Sequence, residues 1–149
     1  MSNHETAFDP TSIAWGETMR LARRSAMLAN EEKRRLKVIA DPLESSIMLY
    51  TDDPIAAAWF VLEVDMASLC KASAIEGVAI IMGETFPPES FEAERTNLQL
   101  PRVAAMWFPP PGVKCPRCRN FTRPVDAEVC PKCADQLSHI ETVIKKEDQ

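Results

Sequence analysis

Cys115-Pro116-Arg117-Cys118 and Cys130-Pro131-Lys132-Cys133 are the two segments on which the fold of this chain depends. Two residues separate the cysteines within each pair, and eleven residues separate the pairs. This spacing lets two tight turns present four sulfurs at the corners of a tetrahedron, which is the geometry of a structural Zn²⁺ site. We therefore expect one structural zinc ion, bound by Cys115, Cys118, Cys130 and Cys133.

Other uses of these cysteines fit the sequence less well. Two disulfides would leave Cys70 as a fifth cysteine, and the rest of the chain looks intracellular. A redox-active Cys-x-x-Cys motif is expected beside a βαβ unit, and the sequence places neither pair in one. A catalytic zinc ion needs an open coordination position, whereas four cysteines close the site. We expect Cys70 to be a small core residue.

The length of 149 residues suits one ordinary domain and a small metal-stabilised one. No apolar run approaches the length of a membrane span, so we expect no membrane partner. The N-terminal residues 1–5 have neither a basic region nor an apolar core, so no secretory signal is expected. These features predict a protein of the cytoplasm or the mitochondrial matrix that is not secreted.

The net charge of −5 is unevenly distributed along the chain. Residues 20–37 carry seven basic and two acidic side chains, and residues 114–133 carry five basic and two acidic ones. Residues 41–100 carry eleven acidic side chains and two basic ones. This segregation favours binding of a polyanion at both basic segments. The alternative is that the basic side chains are merely solvated or pair with the acidic segment.

The sequence predicts an α+β fold with a long N-terminal helix, a small α/β segment and a C-terminal four-cysteine zinc ribbon or finger. The predicted parts are a flexible N-terminus (1–11), a basic helix (12–39), an acidic α/β domain (40–108), a proline-rich spacer (109–113), the zinc module (114–138) and a tail (139–149).

The periodicity and capping signals place the secondary structure within these parts. Thr11 or Ser12 is expected to cap the first helix, whose apolar stripe is Trp15, Met19, Ala22, Ala26 and Ala29. Strands are expected at 43–50, 78–82 and 103–108, and helices at 54–70 and 136–144. The helix over 54–70 is apolar around most of its circumference, so we expect it to be largely buried.

A family resemblance extends over about residues 13–137. Lys114-Cys115-Pro116-Arg117-Cys118, followed by the second cysteine pair, resembles the C-terminal zinc element of class I isoleucyl-tRNA synthetases. Residues 31–39 and Leu43-Glu44 resemble the stretch that joins the end of the anticodon-binding helical bundle to the next segment in that family. The chain differs at Arg119, where the family usually has Trp, and at residues 40–42, where it usually has Gly-Ser-Ser. Glycosylases of the formamidopyrimidine type have a related zinc finger.

The resemblance implies a role in binding tRNA, because the matching parts of the synthetases grip the anticodon stem and loop. No segment resembles the His-Ile-Gly-His or Lys-Met-Ser-Lys-Ser motifs, so we do not expect this chain alone to activate an amino acid. Charge and resemblance together indicate the following RNA-binding residues: Arg20, Arg23, Arg24, Arg34, Lys37, Lys114, Arg117, Arg119 and Arg123.

The first hypothesis is a tRNA-binding part of an isoleucine–tRNA ligase, either as a fragment of a longer synthetase or as a separate subunit beside a catalytic synthetase chain. Two further hypotheses remain. The chain could be a structural zinc subunit among the proteins of a larger ribonucleoprotein, such as an organellar ribosome. It could instead be an independent zinc enzyme or a DNA-repair protein. A glycosylase would need an N-terminal Pro-Glu, whereas residues 2 and 3 are Ser and Asn.

Overall fold

A computed structural model of the chain describes residues 10–83 and 85–147, with side chains over residues 13–83 and 85–140. The elements in these residues confirm the predicted α+β class. The predicted flexible segment 1–11 lies mostly outside the described residues, as does the end of the tail. In chain order the elements are α1 (Pro10–Arg35), β1 (Ser46–Thr51), α2 (Pro54–Leu62), α3 (Met66–Leu69), β2 (Ala74–Ile80), β3 (Phe91–Glu92), β4 (Val103–Phe108) and α4 (Pro131–Glu147).

The four strands form one sheet in the order β2-β1-β4-β3. β1 and β2 are parallel, with Ser46 opposite Ala74 and Thr51 opposite Ile80. Parallel neighbours need a crossover connection, which α2 and α3 provide. β4 is antiparallel to both β1 and β3, so the sheet is mixed and β2 forms one of its edges.

Helix α1 packs on the sheet through small side chains. Ala22, Ala26 and Ala29 are fully buried, and their size lets the helix backbone approach β4 closely. The buried Ser25 hydroxyl lies at this contact, 3.1 Å from the Val103 carbonyl oxygen, and it accepts a hydrogen bond from the Ala93 amide at 3.2 Å. The single proton of this hydroxyl has a nearer acceptor in the Leu21 carbonyl oxygen of the same helix, at 2.8 Å, so the bond from Ala93 is the one that joins α1 to the chain next to β3.

The predicted apolar stripe of α1 is wrong at one position and its predicted bounds are also wrong. Trp15 is 41% exposed, and Thr18 is the first residue of the described part of the helix whose side chain is buried. The helix begins at Pro10, so Thr11 and Ser12 lie inside it rather than at its cap.

Helix α1 ends at Arg35, four residues before the predicted end. Lys37 adopts a positive φ of 61°, and the Val38 amide donates to the Lys33 carbonyl oxygen at 2.9 Å. This is the Schellman arrangement, in which the left-handed residue is usually Gly. Because a lysine at that position does not indicate a helix end, the sequence predicts a helix that continues beyond Arg35.

The predicted helix over 54–70 is two helices with a break at Glu63, which has an extended backbone. In one straight helix Met66 would lie about 120° around the axis from Phe60. The break allows both side chains to be buried, each at 2% exposure. The expectation that this region is largely buried is also wrong, because the outer side chains Ile55, Val61, Leu62 and Val64 are exposed.

The remaining differences concern element bounds. β1 begins at Ser46 rather than residue 43, β2 covers Ala74–Ile80 rather than 78–82, and the short β3 lies where the sequence predicts no strand. α4 begins at Pro131 and crosses the predicted border between zinc module and tail. No helix in the described part of the chain is long and apolar enough to cross a membrane.

Candidate metal centre and nucleic-acid interface

The four predicted cysteines come together at one point. Their sulfur atoms all lie within 4.8 Å of one another, and the Cys118 and Cys130 sulfurs are 3.6 Å apart. A tetrahedral zinc ion with Zn–S bonds of about 2.3 Å requires sulfurs about 3.8 Å apart, so the cluster has the size that one ion needs. None of the described cysteines forms a disulfide, and Cys70 is buried elsewhere in the main core.

Two different turns hold the two cysteine pairs. In the first turn the Arg119 amide donates to the Cys115 carbonyl oxygen at 2.7 Å, and the Cys115 amide donates to the Asn120 carbonyl oxygen at 2.8 Å. Cys130 precedes α4, with Pro131 at the first helical position, where proline is favoured. The second pair therefore lies at the positive end of a helix dipole, which stabilises thiolates.

The thiols differ in their readiness to ionise. Burial acts to raise the pKa of Cys115, but the amides of Cys118, Cys130 and Arg117 outweigh it and lower that pKa to about 6. Burial raises the pKa of Cys118 to about 12, and the neighbouring thiols act in the same direction. Four sulfurs this close cannot all carry a negative charge unless a cation is bound among them.

A small hairpin supports the cluster from its N-terminal side. Val113 and Arg123 form an antiparallel bridge, with amide-to-carbonyl distances of 2.8 and 3.0 Å. The Arg123 guanidinium donates to the carbonyl oxygens of Lys114 at 3.0 Å and Ala127 at 2.6 Å. Arg123 therefore stabilises the loop between the cysteine pairs, and an RNA contact there stays a prediction.

The module built on the cysteines contacts the rest of the fold at the start of β2. The Phe121 amide donates to the Ser73 hydroxyl at 2.6 Å. A surface cavity of about 280 Å³ beside this contact is lined by Asn120, Pro42 and Lys71, among others. The spacer 109–113 thus leads to a module that rests against the α/β part through its first knuckle.

The predicted RNA-binding residues of α1 are exposed but differ in their partners. Arg20 pairs with Glu17, and the Arg24 guanidinium lies 3.3 Å from the Glu94 carbonyl oxygen. Arg23 and Arg34 form none of the ion pairs found among the described side chains, which leaves their charges available. Lys37 is exposed at the C-terminal end of the helix.

The predicted residues of the zinc module are also mostly at the surface. Lys114, Arg117 and Arg119 are exposed, and the Arg117 guanidinium donates to the Gln136 side chain at 2.7 Å. Arg119 has a positive φ of 68° because it closes the first knuckle. An exposed basic side chain therefore lies at the place where the resemblance leads one to expect Trp.

The structure brings Lys71 next to Arg34, which sequence reasoning did not anticipate. Both line a cavity between α1 and the loop before β1, and Asn30 lines it as well. In the sequence, Lys71 is one of two basic residues in the acidic segment 41–100, and Asn30 is a single polar residue in an amphipathic helix. Neither residue gives a signal in the sequence, because their proximity depends on how α1 packs against the sheet.

Comparison of the sequence with those of known proteins finds isoleucine–tRNA ligases among its relatives. The chain is 32% identical over 111 residues to the isoleucine–tRNA ligase of Geobacillus kaustophilus (strain HTA426) and 31% identical over 111 residues to that of Geobacillus thermodenitrificans (strain NG80-2). The chain is related to isoleucine–tRNA ligases. The matches cover 71% of this chain but only 11% of each relative's length. No family model matches the chain, and no solved structure matches it significantly.

Proposed function

We propose that this chain is a zinc-containing tRNA-binding module that corresponds to the C-terminal, anticodon-gripping part of a class I isoleucine–tRNA ligase. The observation that carries the proposal is a four-sulfur cluster bordered by exposed basic side chains in a chain related to these ligases. The module contains no counterpart of a catalytic core. It would therefore act either as the tail of a longer synthetase or as a subunit beside a catalytic synthetase chain, in the cytoplasm or the mitochondrial matrix.

Zinc is the metal that best suits the four sulfurs. Thiolates are soft ligands, and four of them in tetrahedral array favour Zn²⁺ over oxygen-preferring ions such as Mg²⁺. A site closed by Cys115, Cys118, Cys130 and Cys133 leaves no position for a substrate or a reactive water. The proposed role of the ion is therefore to fold the module and to position its basic residues.

The proposed RNA contacts lie on two elements. On α1 the candidates with uncommitted charges are Arg23 and Arg34, and on the zinc module they are Lys114 and Arg119. No ion pair among the described side chains joins the basic residues of α1 to the acidic segment 41–100. This supports an external polyanion over neutralisation within the chain, because the acidic segment does not take up these charges.

The salt dependence of RNA binding tests this function. Each phosphate contact releases counterions, so the slope of log affinity against log salt should fall by about one for each contact removed. We expect Arg34→Ala to lower the slope by about one and to weaken all tRNA transcripts alike. Arg35→Ala is the matched control, since Arg35 is the next residue and is already paired with Glu32.

Filter binding at three salt concentrations is sufficient to measure these slopes. The proposal is contradicted if Arg23→Ala and Arg34→Ala both leave affinity and slope as in the unaltered chain. Cys130→Ser should weaken binding more than either substitution, because it removes the support of the whole module rather than one contact.

A second candidate is a structural zinc subunit of a larger ribonucleoprotein. One observation favours it: the exposed side chains of Val61, on α2, and Val64, in the turn that follows, line an apolar surface cavity together with Ile75 and Val78 of the edge strand β2. Such surfaces are often covered in an assembly. Affinity purification from cells distinguishes the two, since the first predicts a catalytic synthetase chain and the second predicts ribosomal or other ribonucleoprotein proteins.

A further inference from the structure

A buried amide oxygen without a hydrogen-bond partner belongs to a residue that lines a cavity at the C-terminal half of α1. Asn30 is 3% exposed, and its side-chain oxygen has no hydrogen-bond partner. Buried polar atoms are nearly always hydrogen-bonded, because an unpaired one loses its contacts with water without replacement. Asn30 lines a cavity of about 170 Å³ together with Met27, Glu31, Arg34, Pro42 and Lys71.

The size and lining of this cavity restrict what can enter it. A cavity of about 150 Å³ accommodates one benzene-sized ring, so this one has room for a single six-membered ring. Met27 and Pro42 supply apolar walls that suit the flat faces of a ring. The Asn30 amide can rotate about its last bond, so it can present either its NH₂ donor or its oxygen acceptor to the occupant.

The charged residues of the cavity favour an anionic ligand. Arg34, Lys71 and Glu31 all line it with exposed side chains, so its lining carries one more basic group than acidic groups. A nucleotide suits such a site, because its neutral base can enter between the apolar walls while Arg34 and Lys71 contact its phosphate. Lys71 also lines the adjoining cavity next to Asn120 of the zinc module, which places it between the two proposed RNA-binding elements.

Lys71 has a left-handed backbone that ends α3. Its φ is 55°, its amide donates to the Ser68 carbonyl oxygen, and the next amide donates to the Ala67 carbonyl oxygen. This position favours Gly, as does the position of Lys37 after α1, so the side chain of Lys71 can be removed without adding backbone strain.

We propose that this cavity binds one unpaired pyrimidine base of an RNA, with the Asn30 amide hydrogen-bonded to the base edge and Arg34 and Lys71 against its phosphate. The proposal rests on the proposed RNA-binding function and adds base selectivity to it. Asn30 thereby becomes the residue that distinguishes bases, whereas the exposed arginines of α1 contact only the backbone.

The test compares the binding of hexanucleotides U6, C6 and A6 to the zinc-loaded full chain. We expect a pyrimidine hexamer to bind more tightly than A6 and Asn30→Leu to reduce this preference about three- to tenfold, the value of one hydrogen bond. The melting temperature of Asn30→Leu should stay the same or rise, because an unpaired buried amide is replaced by an apolar group of similar size. Loss of preference together with a lower melting temperature would overturn the proposal, since unfolding would then explain it.

Thr18→Val is the matched control for removing a buried unpaired polar atom. The Thr18 hydroxyl is also buried without a partner on α1, but Thr18 does not line this cavity. This variant should raise or maintain the melting temperature and leave the base preference unchanged. A change of preference in Thr18→Val would overturn the assignment to Asn30.

Lys71→Gly tests the phosphate contact separately. It relieves the left-handed strain, so we expect an unchanged or higher melting temperature together with weaker binding of all hexamers. Unchanged affinity of Lys71→Gly for every hexamer would overturn the assignment of Lys71 to the phosphate.

The proposed function and the cavity can fail separately. If the chain binds tRNA with a steep salt dependence but shows no preference among U6, C6 and A6, the cavity proposal is wrong and the proposed function stands. If the chain binds neither tRNA nor any hexamer, both are wrong.

Discussion

The five cysteines of the chain occupy two chemically different environments. Cys70 is fully buried among the apolar side chains of the main core, and burial raises its pKa to about 12. The other four are the centre of a separate small cluster that shares no residue with the main core. Reactivity should therefore distinguish Cys70 from the four cysteines of the metal centre.

Thiol titration of freshly purified, reduced protein should show this difference. With one zinc ion per chain we expect almost no fast-reacting thiols at pH 8. A chelator should expose four of them, and Cys70 should react only in denaturant, because its thiolate is scarce in the folded core. Elemental analysis that finds almost no zinc in such protein would sink the assignment of a structural zinc site.

Gly112 is a second residue whose role depends on its immediate surroundings. A Cβ atom at this position would lie 2.5 Å from the Arg123 carbonyl oxygen and 2.9 Å from the Arg123 amide nitrogen, and neither backbone atom can move without disturbing the bridge to Val113. A Cβ atom at Gly16 on α1 would meet nothing within 4 Å. The same substitution should have opposite effects at the two glycines.

We expect Gly112→Ala to destabilise the zinc module by about 1–3 kcal/mol and Gly16→Ala to stabilise the chain by about 0.5–1 kcal/mol. Zinc affinity measured by competition with a chromogenic chelator should fall only for Gly112→Ala. Equal zinc affinities in the two variants would show that the Val113–Arg123 bridge does not support the metal centre.

Helix ends illustrate what the sequence can and cannot predict about the elements. The core side of α1 follows from the spacing of Met19, Ala22, Ala26 and Ala29, and β4 follows from its apolar run. The end of α1 could not be predicted because Lys37 occupies a position where Gly is the usual signal. The break after α2 could not be predicted either, since it depends on Phe60 and Met66 reaching the same core.

The part of the chain whose folding should depend most on a metal ion is the zinc module. Its own core consists of the buried Cys115, Cys130 and Cys133 and the partly buried Cys118 and Val129. Without a metal ion, few apolar contacts therefore hold the module together. Most of the folding free energy of small zinc modules comes from the metal. After chelation we expect hydrogen-exchange protection to disappear beyond about Pro111 while α1 and the sheet retain theirs.

The contrasting outcome of that experiment is also informative. If protection in α1 and β1 decreases together with that of α4, the division into an α/β part and a zinc module is not a division of folding units. A chain that has not been treated with chelator provides the reference for both segments.

At the scale of the whole molecule, the charge pattern of the sequence survives folding. No ion pair among the described side chains joins the basic segment 20–37 to the acidic segment 41–100: Arg20 pairs with Glu17 and Arg35 with Glu32 on α1, and Arg102 pairs with Glu92 in the sheet. Folding therefore leaves the basic and acidic segments distinct. The sequence could predict this distribution, together with the cysteine cluster, because both depend on local spacing.

The cavity beside Asn30 belongs to the part that no sequence pattern could predict. Its walls come from α1, the loop before β1 and the turn after α3, which meet only when α1 lies on the sheet. The positions of Arg34 and Lys71 relative to each other depend on that packing, as does the absence of a partner for the Asn30 oxygen.

At the Ser73 hydroxyl, the zinc module depends on the α/β part for a hydrogen bond, but the α/β part does not depend on the module. Its single proton is donated to the Leu43 carbonyl oxygen, and its lone pair accepts the Phe121 amide. If the zinc module detaches, Ser73 keeps its bond within the α/β part, whereas Phe121 loses its acceptor. The α/β part therefore keeps this hydrogen bond without the module, whereas the module cannot replace its bond to Ser73 once it has detached.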